Sequence, residues 1–210
     1  LETGFHNFAI VASKQRYPRQ GRKTALGLLG AGQLMFQKVV VVVDEDHPVK
    51  DLDALLDVLD YRVHIPEDLV ILRGMVADTL AHAAPWDNIH DKLIIDATST
   101  PKGDPHSDLP EQQGCPESLA VSASAVRGVV QARMLRPSML VVTTDIESGP
   151  RPESSMEKVS EEGASRQREV IREICESIWS LEAAKNLRWL FITDDDAYLA
   201  SEDWRRRMLW

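Results

Sequence analysis

Three consecutive carboxylates, Asp44-Glu45-Asp46, follow the unbroken apolar run Val39–Val43. Carboxylates so placed can do three kinds of work. They can accept from the free N–H groups at the start of the next helix, which stabilises such ends by about 0.3–1 kcal/mol. They can give hard oxygen ligands to Mg²⁺ or Mn²⁺, for which Asp44 and Asp46 have a suitable Asp-x-Asp spacing. They can also take part in an interface between protomers. A second triplet, Asp194-Asp195-Asp196, closes the apolar run Leu190–Thr193. Two cations, Lys14 and Arg16, stand just beyond Phe8–Ala12 and before Tyr17-Pro18. Cations at a strand's carboxyl end can meet a phosphate, and a solvated basic loop is the ordinary alternative.

The other reactive residue types are scattered. His6, His47, His64, His82, His90 and His106 show no paired ligand spacing, which favours loop or satisfied histidines. Gly27, Gly30 and Gly32 resemble a phosphate loop only in composition, because they fall late in a helical pattern and not directly after a strand. Ser122 and Ser124 lack the context of a nucleophile elbow.

The elements that must position these residues alternate. Phe8–Ala12 predicts a strand and Gln20–Gln37 a helix, whose three glycines imply close approach to another backbone. Val39–Val43, with no polar alternation, predicts a strand buried on both faces of a parallel sheet, and ligands gather at the carboxyl ends of such strands. Leu52, Leu55, Leu56 and Leu59 keep helical spacing behind Asp51 as cap. Short strands at Leu69–Leu72 and Leu93–Ile95 flank a loop with Gly74 and Pro85. Beyond a polar connector, Ala120–Met134 predicts a helix, Met139–Thr144 a strand, Val170–Leu181 a helix and Arg188–Thr193 a strand. The fold expected is therefore α/β, a mostly parallel sheet flanked by helices. The triplets at 44–46 and 194–196 suggest an internal duplication of a β-α-β-α unit at an offset of 150. The expected organisation is an α/β domain over 1–100, a connector over 101–118, and a partial second α/β unit over 119–210 with a polar insertion at 147–165.

Composition narrows the function. With 210 residues, 43% of them hydrophobic, the chain can bury a core, and a net charge of −9 argues against nucleic acid as a partner. Two cysteines fit neither a disulfide framework nor a metal cluster, which points to a cytoplasmic setting. No apolar run approaches membrane-spanning length, leaving at most a peripheral membrane association. The chain opens on Leu1-Glu2-Thr3 without Met and closes within Trp204–Trp210, so it reads as a fragment of a longer protein.

Taken together, Phe5–Pro18, Gly32-Gln33, Phe36 with Lys38–Asp46, Asp51-Leu52-Asp53, Asp68–Leu72 and Ile95–Thr98 resemble, in order and spacing, the C-terminal domain of UbiD-type decarboxylases over about residues 5–100. The second half is similar to longer members, including menaquinone-pathway decarboxylases. The resemblance implies a non-oxidative carboxy-lyase for aromatic or α,β-unsaturated acids, in quinone biosynthesis, that uses prenylated FMN with a divalent metal (Mn) and K⁺ and relies on a flavin prenyltransferase as cofactor supplier. It also implies that the cofactor bed and a Glu-Arg-Glu catalytic set belong to an N-terminal domain absent from this sequence. No catalytic or metal-binding residue is then expected here, nor any cofactor bound to this piece. What remains is a homo-oligomerisation and lid domain, with Lys14 near a cofactor phosphate and Met75 and Ala77, in a Gly74–Asp78 loop, as walls of the acid pocket. That loop has Met-Val-Ala where the family usually carries a proline. The alternative reading is a metal-dependent nucleotide-sugar glycosyltransferase domain built on Asp44 and Asp46.

Overall fold

A run of β-branched residues with no polar interruption can be satisfied only between two covered faces. In a computed structural model, which describes residues 8–78, 88–99, 112–144 and 161–193, such a strand lies inside the first of two sheets. β2 (Val39–Asp44) buries Val40 to Val43 almost completely. It runs parallel to β1 (Phe8–Ser13) on one side, in register from Phe8↔Val39 to Ser13↔Asp44. On its other side it runs parallel to β4 (Ile89–Asp96), from Val39↔Leu93 to Val42↔Asp96. β3 (Leu69–Val76) closes the edge antiparallel to β4, giving the order β1-β2-β4-β3.

Helix α1 (Gln20–Leu29) makes the crossover from β1 to β2. Its Ala25 and Leu29 pack on Val40, Val42 and Ile94, and burying such side chains stabilises by about 1.5–3 kcal/mol each. Helix α2 (Leu52–Tyr61) is capped as its sequence predicts, the Asp51 carboxylate accepting the Ala54 N–H at 3.2 Å. It buries Leu55, Leu56, Val58 and Leu59.

Two expectations for this half need correction. The helix expected over Gln20–Gln37 ends at Leu29, where the Gly30 N–H caps back to the Leu26 carbonyl, and Gly32–Phe36 forms a separate 3₁₀ turn entered through a positive φ at Gly32. A side chain at Gly27 or Gly32 would meet nothing, so within this chain these glycines receive no close approach from another described element. That role belongs to Gly21, where a Cβ would overlap the Asp96 carboxylate. The start of the loop expected after Leu72 is also strand. β3 continues through Met75 to Val76 across a bulge between Leu72 and Met75, eased by a positive φ at Gly74.

The chain divides into two compact units between Gln112 and Gln113. In the second, α3 (Ser118–Ser124) precedes the antiparallel pair β5 (Val129–Arg136) and β6 (Met139–Thr144), and α4 (Glu161–Trp179) leads to β7 (Trp189–Thr193), parallel to β6. Its core joins Leu119, Ala123, Leu140, Val142, Ile174 and Ile178. The helix expected over Ala120–Met134 stops after Ser124; Gly128 takes a positive φ and the β-branched Val129-Val130 start a strand instead. Both sheets are mixed, each carrying one antiparallel strand on an edge. Residues 161–165 of the expected polar insertion belong to α4, while its start, the second acidic triplet and most of the connector lie outside the described residues.

Candidate functional site

The parallel register brings the ends of β1, β2 and β4 to one edge of the first sheet, with Ser13, Asp44 and Asp96 at the strand tips. Lys14 follows directly. Its ammonium lies 3.2 Å from the Glu45 carboxylate, and both side chains are more than half exposed. The loop then folds onto the start of α1: the Arg16 N–H donates to Gln20 Oε1 at 2.8 Å, while the Arg16 side chain stays exposed. Gln15 donates to the Ser13 carbonyl and leaves its buried Oε1 without a partner among the described residues.

Behind this loop the charges are paired. Arg19, in the left-handed region at φ 63°, donates to Asp68 Oδ1 at 3.1 Å. Arg22 approaches Asp68 at 3.8 Å and Asp96 at 3.9 Å, and its Nη2 donates to the Glu67 carbonyl. Asp68 also accepts the His64 N–H at 2.9 Å, and Asp96 accepts the Thr98 hydroxyl at 2.6 Å. These carboxylates orient guanidinium groups and hold the edge together. Lys14, paired with Glu45, and Arg16 are exposed in front of them.

Asp44 does not perform the roles its sequence position suggests. Its Oδ2 accepts from Arg62 Nη1 at 2.7 Å, and Ser99 donates to the same carboxylate through both N–H and hydroxyl at 3.0–3.1 Å. Arg62 also reaches the Ala97 carbonyl at 3.1 Å. Asp44 therefore ties the end of α2 to the end of β4; the cap of α2 is Asp51 and not the triplet. Among the described residues no group of three or more His, Cys, Asp or Glu side chains is arranged to hold a metal ion. The glycosyltransferase reading would have to share Asp44 with Arg62 and Ser99.

Met75 and Ala77 lie elsewhere. Because β3 is antiparallel to β4, Met75 pairs with His90 and the Ala77 N–H donates to the Asn88 carbonyl at 2.7 Å, at the amino end of β4. Lys14 is at the carboxyl end, so the fold separates the proposed cofactor contact from the proposed pocket walls. Ala77 is buried and Met75 half-buried.

The same amino end carries polar residues that the sequence did not single out together. Lys92 is 1% exposed, and its ammonium donates to the carbonyls of Met35 at 2.7 Å and Gln37 at 2.9 Å. Burial pushes its pKa below the ordinary lysine value, and does the same to Lys38. His90 is buried with Nδ1 2.7 Å from the Asp91 carbonyl, and its pKa is lowered first by burial and further by the charges of Lys92 and Lys38. The Gln37 side chain is fully buried with neither amide atom partnered among the described residues. The available signal was Lys92 standing directly before the apolar run Leu93–Ile95. Asp68 and Asp96 stood within recognised motifs, while Arg62 and Ser99 gave none.

Comparison with known proteins bears on the first unit. Residues 1–97 match the UbiD-type domain described as the 3-octaprenyl-4-hydroxybenzoate carboxy-lyase C-terminal domain. An uncharacterized protein of Archaeoglobus fulgidus is 42% identical over 98 residues, 47% of this chain and 20% of its own. A 4-hydroxybenzoate decarboxylase component of Chlamydia pneumoniae is 34% identical over 94 residues, 45% of this chain and 16% of its own. The vanillic acid decarboxylase of Sedimentibacter hydroxybenzoicus, solved in an open form, is 28% identical with a TM-score of 0.46, covering 52% of this chain and 24% of that one. The chain spans about a fifth of the length of the curated relatives it matches.

Proposed function

With its first 97 residues a UbiD-type carboxy-lyase C-terminal domain, we propose that this chain is part of a non-oxidative decarboxylase of aromatic or α,β-unsaturated acids, serving quinone biosynthesis. The observation that carries this is the family match through residues 1–97, which spans the parallel strands β1, β2 and β4 and the loop at their carboxyl ends. In this reading the Glu-Arg-Glu catalytic set and the metal and K⁺ ligands reside in a preceding domain, and this chain contributes oligomer contacts and closure over the acid.

Prenylated FMN, supplied by a flavin prenyltransferase, would furnish the electron sink for carbon–carbon cleavage. The residues here fit only its phosphate end: Lys14 and Arg16 are exposed cations beside strand tips, although Glu45 competes for Lys14. Their work is to bind and orient an anion at the edge of the sheet. Met75 and Ala77 are proposed as walls of an acid pocket at the other end. Self-association is proposed through α1, whose Leu26 is exposed at the border of the face that buries Ala25 and Leu29.

The second unit is proposed to be a copy of the first. α1 and α4 end 150 residues apart (179 − 29), the 3₁₀ turns start 150 apart (182 − 32), and β2 and β7 start 150 apart (189 − 39). In each case the helix joins two parallel strands. The first strands differ, at 131 (139 − 8), so the second copy has the longer link between strand and helix.

The test is to express this chain and its full-length parent beside a flavin prenyltransferase. The parent should release CO₂ from an aromatic-acid panel and show flavin absorbance, while this chain alone should do neither. Flavin co-purifying with this chain, or a parent inactive on every acid, would overturn the reading.

A further inference from the structure

The amino end of β4 gathers positive charge with no ion-pair partner among the described residues. Residues two apart in a strand share a face, and Ile94 packs against α1, so Lys92 and His90 belong to that same face. Lys38 shares the parity of Val40 and Val42, which pack there too, and the charges of Lys38 and Lys92 both act on the His90 ring. His90 is 6% exposed, and its Nε2 has no partner among the described residues. Lys92 spends two of its three N–H groups on backbone carbonyls. The adjacent carboxylate, Asp91, is of opposite parity and accepts the Gly74 N–H at 2.9 Å, although its charge and its carbonyl act on the His90 ring in the opposite sense to the lysines. Half-buried Lys38 opens the group to solvent. The His90 Nδ1–H donates to the Asp91 carbonyl, so Nε2 carries a proton only when the ring is protonated; two ammonium groups and that protonated ring in a desolvated setting are complementary to an oxyanion, which would accept from Nε2–H and neutralise the lysines.

We propose that His90, Lys38 and Lys92 form a binding site for a carboxylate or phosphate group, distinct from the carboxyl-end cations; it adjoins Met75, the cross-strand partner of His90, but does not require the acid-pocket role proposed for that residue. The occupant's chemistry is an oxyanion, from a free phosphate, a small acid or the carboxylate side chain of a second copy.

The experiment follows the His90 ring by NMR in the full chain as pH is varied at constant ionic strength in chloride, inorganic phosphate or acetate. Bound oxyanion favours the protonated ring, so phosphate or acetate should raise the His90 midpoint saturably, and the better of the two identifies the chemistry. Lys38→Ala should weaken that effect by about tenfold while leaving the melting temperature in chloride unchanged, since no described carboxylate pairs with Lys38. A raised midpoint in chloride alone that disappears on dilution would assign the oxyanion to a second copy. A midpoint unmoved by either anion at tens of millimolar, or moved equally in Lys38→Ala, would show that the cluster is only structural.

Discussion

The Asp96 carboxylate occupies the space that a Cβ at Gly21 would need. Asp96 is buried, bonded to Thr98 and next to Arg22, so it cannot swing away freely. The first turn of α1 is seated against the tip of β4 through this pair. Gly21→Ala should therefore destabilise the fold by about 1–3 kcal/mol as overpacking does, and Gly21→Ala combined with Asp96→Ala should cost less than the two singly added. Thermal or denaturant unfolding measures both. A harmless Gly21→Ala would show that the carboxylate moves at no cost.

Arg62 and Asp44 form the tie between α2 and the end of β4. Arg62→Ala leaves a half-buried carboxylate with only Ser99 as donor among the described residues, and should cost about 1–3 kcal/mol. Mn²⁺ should leave the melting temperature unchanged, both in the native chain and in Asp44→Ala. A Mn²⁺-dependent rise that vanishes in Asp44→Ala would restore the metal reading of the acidic triplet.

His90 has a pKa below 6.5 in the folded chain, set mainly by burial. The unfolded chain therefore takes up its proton first, and stability falls as pH drops below 6.5 through the lowered folded value. His90→Gln should flatten that part of the melting-temperature profile while leaving the profile above pH 7 unaltered. For Lys92, depressed in the same way from 10.5, the sign gives stability that rises as pH climbs toward 10.5. An acid limb unchanged by His90→Gln would assign it to other groups.

Met75 lies in β3, opposite His90, and only half-buried. On the proposed function, Met75→Ala in the full-length parent should shift relative kcat/KM across an acid panel by about 1–3 kcal/mol, as when an apolar wall loses a few methylenes. A large loss of melting temperature with no change in acid preference would make it a packing residue only.

Much of this was legible because it rests on periodicity. The valines of β2 admit one environment, and Asp51 before the leucines of α2 carries its own capping chemistry, so both were readable from order alone. The limits of α1 were not: Gly30 and Gly32 serve equally well inside a strained helix or as a cap and a turn entry, and only tertiary packing decides. Met75 was placed in a loop because Gly74 is an ordinary loop signal, whereas a bulge uses the same positive φ without ending the strand. The partners of Asp44 were out of reach. Arg62 and Ser99 are 18 and 55 residues away, and no local pattern encodes a contact over such separations.

β4 keeps its two ends apart in a way that bears on how many molecules this domain can serve. From His90 to Asp96 the strand advances six residues, about 20 Å at roughly 3.3 Å each. A compact acid held beside Met75 cannot also reach Lys14 on the same copy. The roles proposed for Lys14 and Met75 therefore require different ligands, or one ligand only when each residue is donated by a different protomer, and a substitution at one should leave binding at the other unaffected within a single copy.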